Sequence, residues 1–261
     1  GAKGKLSGAF SKIGSAALKV GKVIATGLAA GAGAVVAITK QAVDAYADYE
    51  QLVGGVETLF KDSADTVLNY ANNAYKTAGL SANDYMETVT SFSGALLQSL
   101  NGDTAAAAKK ADLAVTDMSD NMNKMGSSME SIQNAYQGFA KQNYTMLDNL
   151  KLGYGGTKEE MQRLLSDAEK LSGQKFDISS YSDVVDAIHI VQTEMGITGT
   201  TAKEASTTIQ GSLSSLKASW QNLLVGLTDD SQDFDTLLSN VLDNAINLLQ
   251  LLLPCLLYTS D

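Results

Sequence analysis

An all-α fold, with long amphipathic helices and helical hairpins broken at glycines and no substantial sheet, is what this sequence predicts, and three observations predict it. The 261 residues contain one proline, Pro254, against 23 glycines. The strongest helix breaker is thus nearly absent and the flexible one abundant. Apolar residues recur at three- and four-residue intervals along most of the chain. No series of short β-branched runs bounded by turns at regular spacing is present. The length is enough for one large core or two smaller ones.

The chain opens at Gly1, which predicts a piece of a longer protein. A single cysteine, Cys255, excludes an intramolecular disulfide framework and a multi-cysteine zinc site. The single histidine, His189, has no second imidazole with which to share a metal, and no cofactor is expected. Charge is unevenly distributed. Residues 1 to 43 hold six lysines (Lys3, Lys5, Lys12, Lys19, Lys22, Lys40) and no acid, whereas the remainder holds 13 basic and 29 acidic residues, a balance of -16.

Inside the basic part, Val23 to Thr39 ("VIATGLAAGAGAVVAIT") carries no charge. It is long enough for about 26 Å of helix, a little under a bilayer core of roughly 30 Å. Gly27 and Gly31 have the spacing that lets two helices approach closely, and Val35 and Val36 follow on the same segment. Two readings fit: a buried helix packed against a neighbour or a copy of itself, and a membrane-active segment.

From Gln41 the pattern is amphipathic, with Val43, Ala47, Tyr49, Leu52, Val56, Leu59 and Phe60 as the expected apolar face and Gly54-Gly55 as an expected kink. Ser81, with Asp84 in the first turn, predicts the start of a second helix. "NGDT" at 101 to 104 reads as a plain turn. Residues 105 to 150 read as two further helices, with Met118, Met122, Met125 and Met129 stepping by four, three and four as adaptable core packing.

"KLGYGGTKEEMQRLL", residues 151 to 165, places three glycines within four positions. A phosphate-cradling loop requires its glycines ahead of Gly-Lys-Ser/Thr and a buried strand before them. Here the order is Gly-Gly-Thr-Lys after a helix, and Thr157 with Glu160 reads as a capping box. Gly153, Gly155 and Gly156 are therefore expected to form a hinge, in left-handed conformations, between two helices.

Val184, Val185, Ile188 and Val191 define one face of a helix stopped at Gly196, with His189 at its edge and Asp186 at a spacing that could orient the imidazole. No nucleophile or second ligand is patterned nearby. Thr201 with Glu204 reads as a capping box opening a helix in which Ile209, Leu213, Leu216, Trp220, Leu223 and Leu227 step by four, three, four, three and four. That spacing predicts a heptad packing seam. The other face is uncharged and polar, with Lys217 the one charge between Ala205 and Thr228, and suits burial among further copies.

The succession "AYADYEQLVGGVETLF", "VLNYANNAYKTAGLSANDYMETVTSFSGALLQSL", "MSDNMNKMGSSMESIQNAYQGFAKQNYTMLDNLKLGYGGTKEEMQRLL" and "TTIQGSLSSLKASWQNLLVGL" resembles the core of tail tape measure proteins of long-tailed bacteriophages over residues 41 to 228. The resemblance implies a structural virion protein with no catalytic site, present in several copies in the phage tail, whose helical length sets tail length, made in the host cytoplasm during assembly and released ahead of DNA at ejection. It implies further copies of the chain, tail tube proteins and tail assembly chaperones as partners, and no sequence-specific nucleic acid binding. A host membrane, reached through residues 23 to 39, is a further expected partner. The alternative is a membrane-active or secreted helical effector that uses the same apolar segment.

Three regions follow: a basic Gly/Ala-rich apolar helix over 1 to 50, a helical core over 51 to 228, and an acidic linker with an apolar tail over 229 to 261. The acidic run "DDSQDFD" lacks the glycine and terminal glutamate of a calcium loop and reads as a solvated linker. "CLLYTSD" at the end resembles translated adapter sequence and carries no functional reading.

Overall fold

A computed structural model describes residues 32 to 229 and 232 to 257. Every regular element among them is helical. The long first helix, α1 (Ala32–Phe60), leads through a 3-10 turn (Lys61–Ser63) into α2 (Ala64–Thr77). Then come α3 (Ala82–Ser99), α4 (Thr104–Met125), α5 (Met129–Phe139), a 3-10 turn (Leu147–Leu150) and α6 (Lys158–Ser172). The series closes with α7 (Tyr181–Glu194), the short α8 (Thr200–Glu204), α9 (Ile209–Gly226) and α10 (Phe234–Leu257).

Local capping chemistry sets most of these starts. Ser81 accepts from the Asp84 amide at 3.1 Å and begins α3, as expected. Asp103, inside the "NGDT" turn, accepts from the Ala106 amide at 2.9 Å and begins α4. Gly126 then stops α4 in the left-handed region with a φ of 66°. Gly54 and Gly55 do not interrupt the helix, for α1 is continuous to Phe60 and so also crosses the regional boundary expected at residue 50. The apolar face expected at the start of α1 is displaced: Ala42 is buried, whereas Val43 is 52 % exposed.

The core runs from Val56 to Ile197 and is centred on α3 and α4, which touch α1, α2, α5 and α7. Phe92 joins Tyr136 and Tyr181 in ring contacts at 6.4 and 6.3 Å, which tie α3 to α5 and α7. Met118 is fully buried, and Met122, Met125 and Met129 pack against the same core. Val184, Val185, Ile188 and Val191 are buried as their spacing predicts. Beyond this core, α9 lies on α1, α2 and α3, and α10 packs along α9.

Candidate interaction surface

The heptad seam of α9 is only partly buried. Ile209 and Trp220 are 43 % and 37 % exposed, Leu213, Leu216 and Leu227 are half-buried, and only Leu223 of the six is buried. The polar side is inside instead: Ser212, Ser215, Ser219 and Asn222 are each under 10 % exposed. Small side chains there let α10 approach, and its asparagines bond two of the serines. Asn247 Nδ2 donates to Ser212 Oγ at 2.8 Å and Asn244 Nδ2 to Ser219 Oγ at 3.1 Å. On the α3 side, Asn222 Oδ1 accepts from the Ala82 amide at 2.8 Å, supplying a partner for a first-turn donor that its own helix leaves over. Ser212, Ser215, Ser219 and Asn222 are thus buried within the chain, against α10 and α3, while Ser206, Thr207, Gln210 and Gln221 stay exposed.

α10 presents the consequence. Leu242, Ile246, Leu249 and Leu253 are 43, 53, 59 and 53 % exposed and step by four, three and four along one side. Asn244 and Asn247 are spent on α9 beside the partly buried Leu237, Val241 and Leu248, and the four exposed aliphatic side chains are left outside. Isoleucine and leucine then fall at the alternating positions of a helix-packing seam. The sequence carried the signal in the four-three spacing of Asn240, Asn244 and Asn247 beside that of the aliphatics, hidden within an apparently solid apolar run.

The glycine loop is a locked corner. Gly153 has a φ of 85°, while Gly155 and Gly156 do not enter the left-handed region, contrary to expectation. Gly156 is required by proximity: a Cβ there would lie 2.2 Å from the Thr145 carbonyl oxygen. Thr157 accepts from the Glu160 amide at 3.2 Å, as a cap, but the Glu160 carboxylate reaches back to the Gly155 amide at 2.9 Å. Arg163 completes the corner, bonding Glu160, reaching the Gly153 carbonyl at 2.8 Å and stacking 4.2 Å above the Tyr154 ring. The Arg163 guanidinium and the Gly155 amide hold the Glu160 carboxyl down at about 2.

A buried polar cluster joins α4 to the chain's later half. Asp117 of α4 meets His189 of α7, while Asp186, expected to orient that imidazole, pairs with Lys110. Asp120 spends its two oxygens on the Gly199 and Thr201 amides at 2.6 and 2.7 Å. The Thr201–Glu204 capping box does not form. Gly199 precedes α8, Glu204 accepts from Asn123 at 3.0 Å, and α9 starts separately at a Thr208 cap. Asn121 Nδ2 bonds the Leu150 carbonyl and Gln192 at 2.9 and 3.0 Å. Every one of these contacts fixes one element to another. Among the described residues no group of three or more His, Cys, Asp or Glu is placed to hold a metal ion.

Of the other residues that the sequence singles out, Gly27 and Gly31 lie outside the described residues. Val35 and Val36 lie within α1, but their side chains are not described. Comparison of the chain with protein families, curated proteins and solved structures finds no match.

Proposed function

We propose that the chain is a structural assembly protein that works through helix contacts, a fragment of a phage tail tape measure protein acting in several copies. The observation that carries this reading is the α9–α10 hairpin, with its asparagine–serine bonds inside and Leu242, Ile246, Leu249 and Leu253 outside. Burying the exposed halves of these four side chains contributes about 1 kcal/mol each. The sum is comparable with the lower end, about 4 kcal/mol, of what association costs in lost freedom. The stripe alone therefore supports weak contacts that become effective when copies are held side by side.

For the tail role, the test is to delete or duplicate whole helices of this region in a phage that carries it and measure tail length by electron microscopy. Length changing by about 1.5 Å per residue supports the reading; unchanged tails refute it. A second reading rests on another observation: Phe234–Leu253 is long and apolar enough to cross a membrane and is not buried. Flotation of the chain with liposomes, abolished by Ile246→Asp, would favour a membrane-active protein.

A further inference from the structure

α10 depends on a single neighbour. It packs along α9 and on no other element to a comparable extent. α9 is held independently of it, for it lies on α1, α2 and α3, with Ala218 and Val225 buried and Asn222 bonded to the Ala82 amide. The departure of α10 therefore leaves the rest of the fold in place.

The seam between the two helices is polar and incompletely satisfied. Asn244 and Asn247 bond Ser219 and Ser212, while Ser215 Oγ is buried without a partner. An orphaned hydroxyl weakens the seam, and a serine face hydrogen-bonds water once uncovered. At the turn end of the hairpin, Leu237 fills the space that a Cβ on Gly226 would take. That interlock and the asparagine bonds define one register, which α10 of any copy reproduces. α10 is the half that gains most from being covered: Leu237, Val241 and Leu248 are partly buried, and its outer stripe is apolar.

The contacts of this seam are the same whether both helices belong to one chain or to two. Exchange of α10 between copies thus sacrifices no interface and is opposed by chain connectivity alone. A short connection is worth an effective concentration in the mM range. The connection from Gly226 to Phe234 can extend to at most roughly 27 Å, about three times the spacing of packed helix axes, so α10 can reach an adjoining copy.

We infer that the serine face of α9 is also an interface between copies, and that its occupant is α10 of a second copy of this chain, exchanged for its own. The inference rests on the assembly reading and gives it a contact that does not depend on the outer stripe. Exchange requires α10 to leave α9, so it is slow and is populated when chains refold at high concentration. Chains kept folded associate through the stripe alone.

A chain carrying Gly226→Cys and Leu237→Cys, with Cys255→Ser, tests it, because Leu237 Cγ stands 3.7 Å from the Cβ position on Gly226 and two thiols there can bond. Isotopically light and heavy chains are mixed in urea, refolded at about 1 μM or about 1 mM to bracket the effective concentration, and oxidised. Disulfides joining position 226 of one label to position 237 of the other are expected to rise several-fold at the higher concentration. Links within one molecule only, or links between copies that join 226 to 226 as often as 226 to 237, overturn the proposal. Asn247→Ala is expected to leave the light–heavy share unchanged, since the same bond is lost from the closed and the exchanged seam; a changed share overturns it.

Ile246→Asn with Leu249→Asn separates this inference from the stripe. Exchange is expected to persist in that variant, and its loss there overturns exchange. Absence of exchange in every chain, with sedimentation still sensitive to the stripe pair, overturns the exchange and leaves the assembly reading standing. A readout free of new cysteines is the native chain refolded at about 1 mM, which is expected to keep its dimer on rapid dilution in size-exclusion chromatography. A dimer lost at once overturns the proposal.

Discussion

Asp117, only 1 % exposed on α4, holds both carboxylate oxygens 3.0 Å from Nδ1 of His189 on α7. The hydrogen bond to Asp117 raises the His189 pKa above its ordinary value, burial opposes this, Asp186 reinforces it and Lys110 counters it. Burial also pushes the Asp117 carboxyl up, against the pull of His189. The sign follows. A histidine whose folded pKa is raised contributes stability that is fully present below its unfolded value of about 6.5 and is lost as pH rises through the folded value.

Melting temperature is therefore expected to fall as pH rises from about 6.5 upward, and His189→Gln is expected to flatten that dependence. His189→Ala leaves Asp117 buried without its counter-charge, and a loss on the order of 3 kcal/mol is expected in urea unfolding at pH 6. A variant with an unchanged pH profile would show that the pair does not bear on stability.

Asp120 gives a sharper structural test, because one carboxylate holds two backbone amides at once. Asp120→Ala is expected to cost about 1 to 3 kcal/mol, since the Gly199 and Thr201 amides lose a charged acceptor. Hydrogen exchange reads it at those two amides, where protection is expected to drop first. Asp120→Asn retains one acceptor and is expected to fall between.

Two glycines separate freedom from proximity. Gly156→Ala forces a Cβ against the Thr145 carbonyl oxygen and is expected to destabilise by about 1 to 3 kcal/mol. A Cβ at Gly54 meets nothing within 4 Å in the continuous α1. Gly54→Ala is expected to stabilise by about 0.5 to 1 kcal/mol through reduced freedom of the unfolded chain. Thermal melts of both variants check the opposite signs.

Which of these features could be read from the sequence depends on how far apart the partners are. Ser81, Thr157 and the Val184–Val191 face were legible because a cap or a helical face is decided within a few residues. Thr201–Glu204 satisfied the same local pattern and failed, because Asp120, about 80 positions earlier, takes the Thr201 amide that the Glu204 carboxylate would have reached, and that carboxylate is bonded to Asn123 instead. His189 was read against Asp186 on its own helix, whereas its partner is 72 residues away. The α9 seam was read by the rule that apolar residues face inward. That rule cannot tell which face of a helix is buried when the next helix brings asparagines to the serines.

The inverted hairpin makes the last prediction, in which stability and association respond to opposite faces of one helix. Asn247→Ala removes the 2.8 Å bond to Ser212, which still donates to the Ala205 carbonyl. About 1 kcal/mol of stability is expected to be lost in urea unfolding while association is unchanged. Ile246→Asn with Leu249→Asn touches side chains that are more than half exposed, so unfolding is expected to change little. Sedimentation at rising concentration is expected to lose its weak self-association, because polar amides replace the aliphatic contact at adjacent seam positions. If the outer pair weakened unfolding and left sedimentation as it was, the stripe would be part of the chain's own packing, and the hairpin would have no outward role.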